Sequence, residues 1–398
     1  MFVHSGSLPH LLPPAAYTDA EWFARERREL FGRGWHPLCF TEQVAKDGDQ
    51  FAGEILGVPV VVVNRGGTLH ALRNVCAHRH SQIVPDGTNR GATLRCQIHG
   101  WEYDEAGCLA RMTDGRSFRG FKAGDLCLGK FRVEQGGPLV FVNLSAEGPT
   151  FLEHLGDFAS EFQRFYTDLR HVGTLSIESP VNWKVIVENA VESYHVPMVH
   201  PETFQDYRPE ELHDHALAPT YSRYGDLLPY ESEKGLESLG FRTYTRLLIK
   251  NPTFKRFTHV NVYPNHLLYF GDIFSAFNVV EPLGPERSRI TFYSFVPRDI
   301  HWGWAGRLLQ DLSMVVFLRM GKRIAMEDVA RWPPVQAGLR NATFPGVLSC
   351  REERVYGVQR YVAERLGIPV PPPGADRGSP PAVPETPVVS SSPAPVTM

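Results

Sequence analysis

The sequence predicts an α+β protein of two unequal domains, a small all-β domain followed by a larger one in which helices cover an antiparallel sheet. Three observations point there. At 398 residues the chain is too long for one ordinary hydrophobic core. Between Trp35 and Leu144 the apolar residues come in short β-rich runs punctuated by glycine turns. Beyond Thr174, further β-rich runs give way to two long helical patterns.

In chain order, Thr18 and Glu21 read as a capping box opening a helix that Gly32 and Gly34 stop, so residues 1–34 form an N-terminal arm and helix. Strands at 58–63, 69–73 and 138–144, turned at Gly66-Gly67 and Gly136-Gly137, belong to an all-β domain over 35–150. Residues 151–166 have helical period and begin the larger domain, 151–368. Its strands are expected at 174–179, 257–262, 266–270, 277–280 and 289–295, and its long helices at 304–329 and 351–366. Ten prolines fall between 369 and 398, where no packed core can form and disorder is expected.

Composition narrows the function. Hydrophobic residues at 42% and charged residues at 21% are ordinary for a globular chain. A net charge of -3 offers no basic excess for nucleic acid. The N-terminus lacks the pattern of a secretory leader, and no run of about 18 apolar residues occurs, so a cytoplasmic protein without a membrane span is expected. Six cysteines in so long a chain suggest metal ligation or burial rather than a disulfide scaffold.

Two clusters carry chemistry. In the first, Cys76 and His78 are followed after 17 residues by Cys96 and His99, two soft-ligand pairs on two loops. A [2Fe-2S] cluster could take both cysteines on one iron and both histidines on the other, and neutral imidazoles would raise its reduction potential. Structural zinc is the competing reading of a Cys2His2 set. Zinc fingers, however, usually pair Cys with Cys and His with His. In the second cluster, residues 182–194 lack proline and glycine, and a helix there would put Glu188, Glu192 and His195 on one face. Pro197 must end or bend it, letting His195 and His200 converge on one metal. Ferrous iron held by two neutral imidazoles calls for a carboxylate, as in the 2-His-1-carboxylate triad. The blander reading is that some of the 16 histidines fall together by coincidence; His213 and His215 are such a pair, expected on an exposed loop.

Cys76-x-His78-x17-Cys96-x2-His99, followed by Gly100-Trp101-x-Tyr103 and Gly107, resembles the Rieske motif of ring-hydroxylating oxygenase α subunits. The likeness spans about residues 17–366 and implies an N-terminal Rieske domain before a helix-grip-like catalytic domain. One departure stands out, for His80 occupies a position where such proteins commonly have glycine; Arg79 and His80 are read as loop residues. The resemblance implies that Asp328, shortly before Val335-Gln336-Ala337-Gly338-Leu339, is the third iron ligand, with Glu327 the neighbour most easily confused with it and Asp311 a weaker candidate. It also implies that Glu192 bridges the iron site to a cluster ligand, His99, of an adjacent subunit, and that the assembly is a homotrimer.

Electrons would come from NAD(P)H through a separate reductase, with or without a ferredoxin, since no dinucleotide fingerprint is present. The substrate is a small organic molecule, oxidised with O2. The leading expectation is an aromatic or other apolar compound, hydroxylated or dihydroxylated. The runner-up is N-methyl hydroxylation, with demethylation of a quaternary ammonium compound, for which the aromatic residues between Phe204 and Phe295 could form a cage or else be sheet core. A non-catalytic electron-transfer protein is the alternative of another class.

Overall fold

The computed structural model describes residues 2–4, 6, 8–120, 122–204, 213–226, 236–254, 257–344 and 346–371. Nearly all of the proline-rich tail lies outside them. The arm holds β1 (Leu8–Pro9) and α1 (Ala20–Glu29). Asp19, not Thr18, caps α1: its carboxylate accepts the Trp22 N–H at 2.8 Å, while the Thr18 hydroxyl turns back to the Pro14 carbonyl.

The first domain contains β2 (His36–Phe40), β3 (Asp49–Ile55), β4 (Val58–Arg65), β5 (Thr68–Arg73) and β6 (Gly87–Arg90). After these come a small three-stranded sheet, β7 (Leu94–Arg95), β8 (Glu102–Tyr103) and β9 (Leu109–Arg111), and then β10 (Lys130–Gly136) and β11 (Leu139–Asn143). The main sheet is antiparallel in the order β2-β11-β10-β5-β4-β3-β6. Its middle explains the unbroken valine run of β4, because Val60 and Val62 enter the large core shared with the helices while Val61 and Val63 enter the core beneath the two ligand loops. Cys108 and Cys127 form a disulfide across an isolated β-bridge, so metal ligation or simple burial fails for this pair; their separation of 19 residues gave no sign of the bridge.

The second domain starts with α2 (Phe151–Leu155) and α3 (Ala159–Tyr166), which Gly156 (φ 60°) separates where one helix was expected. Then follow β12 (Leu169–Ser179), α4 (Trp183–Val191), α5 (Val196–Val199), β13 (His213–Leu217), β14 (Tyr221–Asp226) and α6 (Leu236–Leu248). The remainder is β15 (Thr258–Val262), β16 (His266–Phe270), β17 (Ser275–Gly284), β18 (Arg287–Pro297), α7 (Gly303–Val329), α8 (Trp332–Leu339), β19 (Val347–Leu348) and α9 (Glu353–Arg365). Seven strands form an antiparallel sheet ordered β12-β18-β17-β16-β15-β14-β13, and β1 pairs with β19. His213 and His215 lie on a strand of that sheet, 3% and 9% exposed, and not on an exposed loop.

The two sheet faces differ. Val260, Leu268, Phe270 and Phe277 pack on α2 and α3. Leu267, Val280 and Ile290 face the other way, into the core that holds Val187 and Val191 of α4, Trp332 of α8 and Val358 of α9. Val329, at the C-terminal end of α7, packs against this second core, which places α4 and the end of α7 on one side of the sheet.

Candidate metal centres

The first site sits on the loops 76–80 and 96–100. Cys76 and Cys96 are 1% and 2% exposed, inside the core of the small sheet, whereas His99 is exposed and His78 half-buried. The His78 and His99 Nδ1 atoms lie 3.1 Å apart, and two imidazoles turned nitrogen to nitrogen suit a shared metal. His78 stacks on Trp101 with ring centroids 4.7 Å apart. The Tyr103 hydroxyl accepts the Ala77 N–H at 2.9 Å and lies 3.1 Å from Cys76 Sγ; burial and the Cys76 contact raise its pKa. The loops close on the Cys76 and Cys96 carbonyls, which accept the N–H groups of His80 and Gly100 at 2.9 Å each. His80 takes φ 60°, the left-handed backbone for which a glycine is better suited. Buried sulfurs and more exposed imidazoles match the donor set of a [2Fe-2S] cluster, which these four residues would hold.

The second site differs in construction from the expectation of one helix. α4 ends at Val191, and Glu192 is already extended (φ −119°, ψ 166°). His195 then precedes α5, whose first turn contains Pro197, and His200 follows that helix. The helix break therefore falls at Glu192, before the proline, because the Glu192 carboxylate takes the N–H groups of Tyr194 and His195 in place of helical bonds.

His195, His200 and Asp328 offer ligand atoms within 4.8 Å of one another. Asp328 Oδ1 is 3.1 Å from His200 Nε2 and 3.6 Å from His195 Nε2. Behind each imidazole stands a second carboxylate. Glu192 Oε1 is 2.5 Å from His195 Nδ1, and Glu327 Oε2 is 2.8 Å from His200 Nδ1. An Nδ1–H donated to each carboxylate leaves the Nε2 lone pairs turned toward Asp328, the tautomers a metal needs. Burial lowers the His200 pKa, but its bonds to Asp328 and Glu327 outweigh it and raise the value overall. This donor set fits one iron with positions left open.

Glu327 is thus taken by His200 and by the Thr203 hydroxyl, 2.7 Å away, and Asp311 pairs with Arg170 at 2.5 Å, far from the triad in sequence and in partner. Asn189 donates to Asp328 Oδ1 at 3.0 Å. Glu188 turns instead to the Tyr17 hydroxyl, 2.6 Å, and to Gln359. The contact of Asn189 with Asp328 and the place of Glu327 behind His200 were not foreseen from the sequence; for Glu327, the adjacency of two acids at the end of a helix was the available signal.

Residues 166–368, just over half of the chain, match the family described as ring hydroxylating alpha subunit (catalytic domain). The chain belongs to that family. Residues 34–122 match the Rieske [2Fe-2S] domain. This Rieske oxygenase α subunit accordingly carries a [2Fe-2S] cluster and a mononuclear non-haem iron. Among its relatives, the chloroplastic choline monooxygenase of Arabidopsis thaliana is 26% identical over 83% of this chain and 77% of that protein. The glycine betaine monooxygenase oxygenase subunit of Chromohalobacter salexigens is 28% identical over 74% and 73%. Among solved structures, the quaternary ammonium Rieske monooxygenase CntA with L-carnitine superposes with a TM-score of 0.70 at 19% identity, over 91% of this chain and 95% of that one. Naphthalene 1,2-dioxygenase from a Rhodococcus species, bound to indole, gives 0.71 at 19%, over 89% and 94%. No helix among the described residues is long and apolar enough to cross a membrane.

Proposed function

We propose that this oxygenase hydroxylates an N-methyl group of a quaternary ammonium compound, which then loses the carbon as formaldehyde. In this reading Cys76, Cys96, His78 and His99 hold the cluster, His195, His200 and Asp328 hold the iron, and the domain limits are 35–150 and 151–368. The observation that carries the substrate is the sheet face turned toward α4 and α9. There Tyr224, Phe257 and Tyr269 gather, with Phe257 centred 6.1 Å from Tyr224 and 5.5 Å from Tyr269. Asn261 and Asn278 add amide oxygens buried without hydrogen-bond partners among the described residues. Aromatic faces attract a methylammonium group by cation-π interaction, and the partial negative charge of the amide oxygens adds a charge–dipole attraction that a neutral arene does not feel. Of the aromatic residues between Phe204 and Phe295, Tyr207 and Tyr230 lie outside the described residues, and Phe241, Tyr244, Tyr263 and one side of Tyr269 pack against cores. The choline, glycine betaine and carnitine relatives support the same choice over an aromatic substrate.

Bound at their sites, the two groups supply stepwise reduction and dioxygen activation. The chain's own residues hold them in place: Glu192 and Glu327 keep a proton at Nδ1 of His195 and His200, and Asn189 holds Asp328 Oδ1 against rotation. His99 is exposed, as is Ile98 beside it (62%), which supports contact with a partner there. We assign that partner to the iron site of a neighbouring copy in a head-to-tail trimer, with Glu192 between the two, and the reducing supply to a separate NAD(P)H-dependent reductase, all in the cytoplasm. The test is oxidation of a panel of methylammonium compounds and arenes under labelled dioxygen with a surrogate reductase. Formaldehyde formed in step with oxygen uptake is expected; labelled arene diols without formaldehyde would replace this reading with the aromatic one.

A further inference from the structure

The Rieske domain carries a second sulfur pair, and neither metal centre uses it. Cys76 and Cys96 belong to the cluster site, Cys39 is buried with its thiol pKa pushed up to about 12, and Cys350 is partly exposed and free. Cys108 and Cys127 are joined to each other. Cys127 is exposed and Cys108 half-buried, so a thiol in solution has access to the bridge, and an oxidant to the opened pair.

The position of this bridge gives it leverage on the cluster site. Backbone bonds flank it, from the Leu109 N–H to the Leu126 carbonyl at 2.8 Å and from the Leu128 N–H to the Gly107 carbonyl at 2.7 Å. The bridge therefore closes the neck of the chain between the two cysteines. On one side of the neck, the turn at 104–107 leads back to Tyr103, whose hydroxyl lies 3.1 Å from Cys76 Sγ. On the other, the enclosed chain runs through β9 and a turn at Gly115–Ser117 to Phe118. Trp101 stacks on the His78 ring, and Phe118 meets both rings at a steep angle, with centroids 5.5 Å from His78 and 5.3 Å from Trp101. Polar groups of the enclosed chain bond within it: the Ser117 hydroxyl donates to Asp114 at 2.6 Å, and the Lys122 N–H to Asp125 at 2.7 Å. Half-buried Phe118 is thus the side chain that this segment sets against a cluster ligand loop.

We propose that Cys108 and Cys127 form a thiol switch that sets how firmly Phe118 covers the His78 side of the cluster site. The inference rests on the assignment of His78 to the cluster. In the joined form the cross-link restricts the enclosed chain and keeps Phe118 in place. A dithiol opens it. One thiolate attacks a bridge sulfur to give a mixed disulfide, the second sulfur of the dithiol displaces the protein thiolate, and two electrons and two protons end on Cys108 and Cys127 while the dithiol becomes a disulfide. Hydrogen peroxide closes it again: one cysteine is oxidised to a sulfenic acid with release of water, and the other thiol condenses with it, releasing a second water. The cover tightens under oxidising conditions, the conditions that attack an iron-sulfur cluster.

The experiment compares the anaerobic holoenzyme after stoichiometric hydrogen peroxide and after dithiothreitol, beside the double variant C108S/C127S and F118A. Peptide mass analysis after alkylation should find Cys108 and Cys127 joined in the first form and both alkylated in the second, with Cys350 alkylated in each. Trypsin should cut the enclosed chain at the exposed Arg116, Arg119 and Lys122 about tenfold faster once the bridge is open, and a chelator should bleach the visible absorbance of the cluster faster by a similar factor. In C108S/C127S both rates should match those of the reduced parent with or without dithiothreitol, which separates the bridge from reduction of the cluster itself. F118A should lose its cluster as fast as the reduced parent while its bridge stays joined. Free Cys108 and Cys127 in the peroxide-treated form, or equal rates in the joined and opened forms, overturn the switch, and faster cutting with unchanged cluster loss overturns Phe118 as the cover. The ligand assignment is read separately from the cluster spectrum of H78A: an unchanged spectrum there would strike it, while the trypsin rates still decide the clamp.

Discussion

Glu327 and Asp328 show how one side-chain methylene and one helical position separate two tasks. Adjacent helical residues point about 100° apart, so when Asp328 turns its carboxylate to the two Nε2 atoms, Glu327 reaches round to His200 Nδ1. The Glu327→Gln variant keeps the size but presents an uncharged amide where the imidazole N–H needs a strong acceptor. Iron affinity should fall roughly 10–100-fold, the usual range for such outer partners, while the visible spectrum of the cluster stays as it was. Metal analysis after dialysis against a graded chelator measures this; retention of iron equal to that of the parent would show that Glu327 does not orient the ligand. His80 is legible at the same scale, since its φ of 60° is the physical reason a glycine is at home there, and the four cluster residues were readable because their spacing alone brings each pair onto one loop.

Between elements, α1 and α4 are joined by a buried ion pair. Glu26 of α1 and Lys184 of α4 are both fully buried and 2.6 Å apart, and Glu26 also accepts from the Trp183 and Trp22 indoles at 2.8 and 3.1 Å. Burial lowers the Lys184 pKa, and Glu26 offsets part of that. Lys184→Met leaves an uncompensated carboxylate and should destabilise by about 3–5 kcal/mol, whereas pairing it with Glu26→Leu should recover much of the loss. Urea unfolding of the single and double variants measures both. A single variant as stable as the parent would mean that water or a shifted proton already neutralises Glu26. Neither partner could be matched from sequence, because residues 158 positions apart announce no contact. Strands 58–63 and 266–270 and the helix at 304–329 were legible from β-branched runs and unbroken length; α7 is not amphipathic, with Trp304, Leu308, Leu312 and Val316 exposed and Gly306, Gln310 and Met314 buried. β13 and β14 were missed, since strands rich in histidine, tyrosine, serine and aspartate lack the apolar alternation that marks a strand and read as loop. The same conflict displaced the end of α4, where Glu192 serves His195 at the helix's cost.

Over the whole molecule, burial lowers the pKa of His36, His154, His259 and His266 below the ordinary 6.5, in both domains. Below that value the unfolded chain takes up protons that the folded one refuses, so stability is complete above pH 6.5 and falls on acidification, by up to ~1.4 kcal/mol per pH unit for each imidazole. A Tm that does not drop between neutral pH and pH 5.5 would contradict the neutral assignments. The assembly offers a sharper test. In one chain, Cys96→Ser removes a cluster ligand; in another, Asp328→Asn removes an iron ligand; each variant alone should be inactive. If the cluster of each chain served its own iron, a mixture would stay inactive, because no chain has both centres. In a head-to-tail ring, an iron-competent chain beside a cluster-competent neighbour regains function, and every mixed trimer holds one such pair among its three sites, so isolated mixed rings should recover about a third of the parent activity. Co-expression with two affinity tags, isolation of mixed rings and assay of formaldehyde release measure the recovery. Mixed rings that remain inactive would place electron delivery within the chain and leave the exposure of His99 without its proposed purpose.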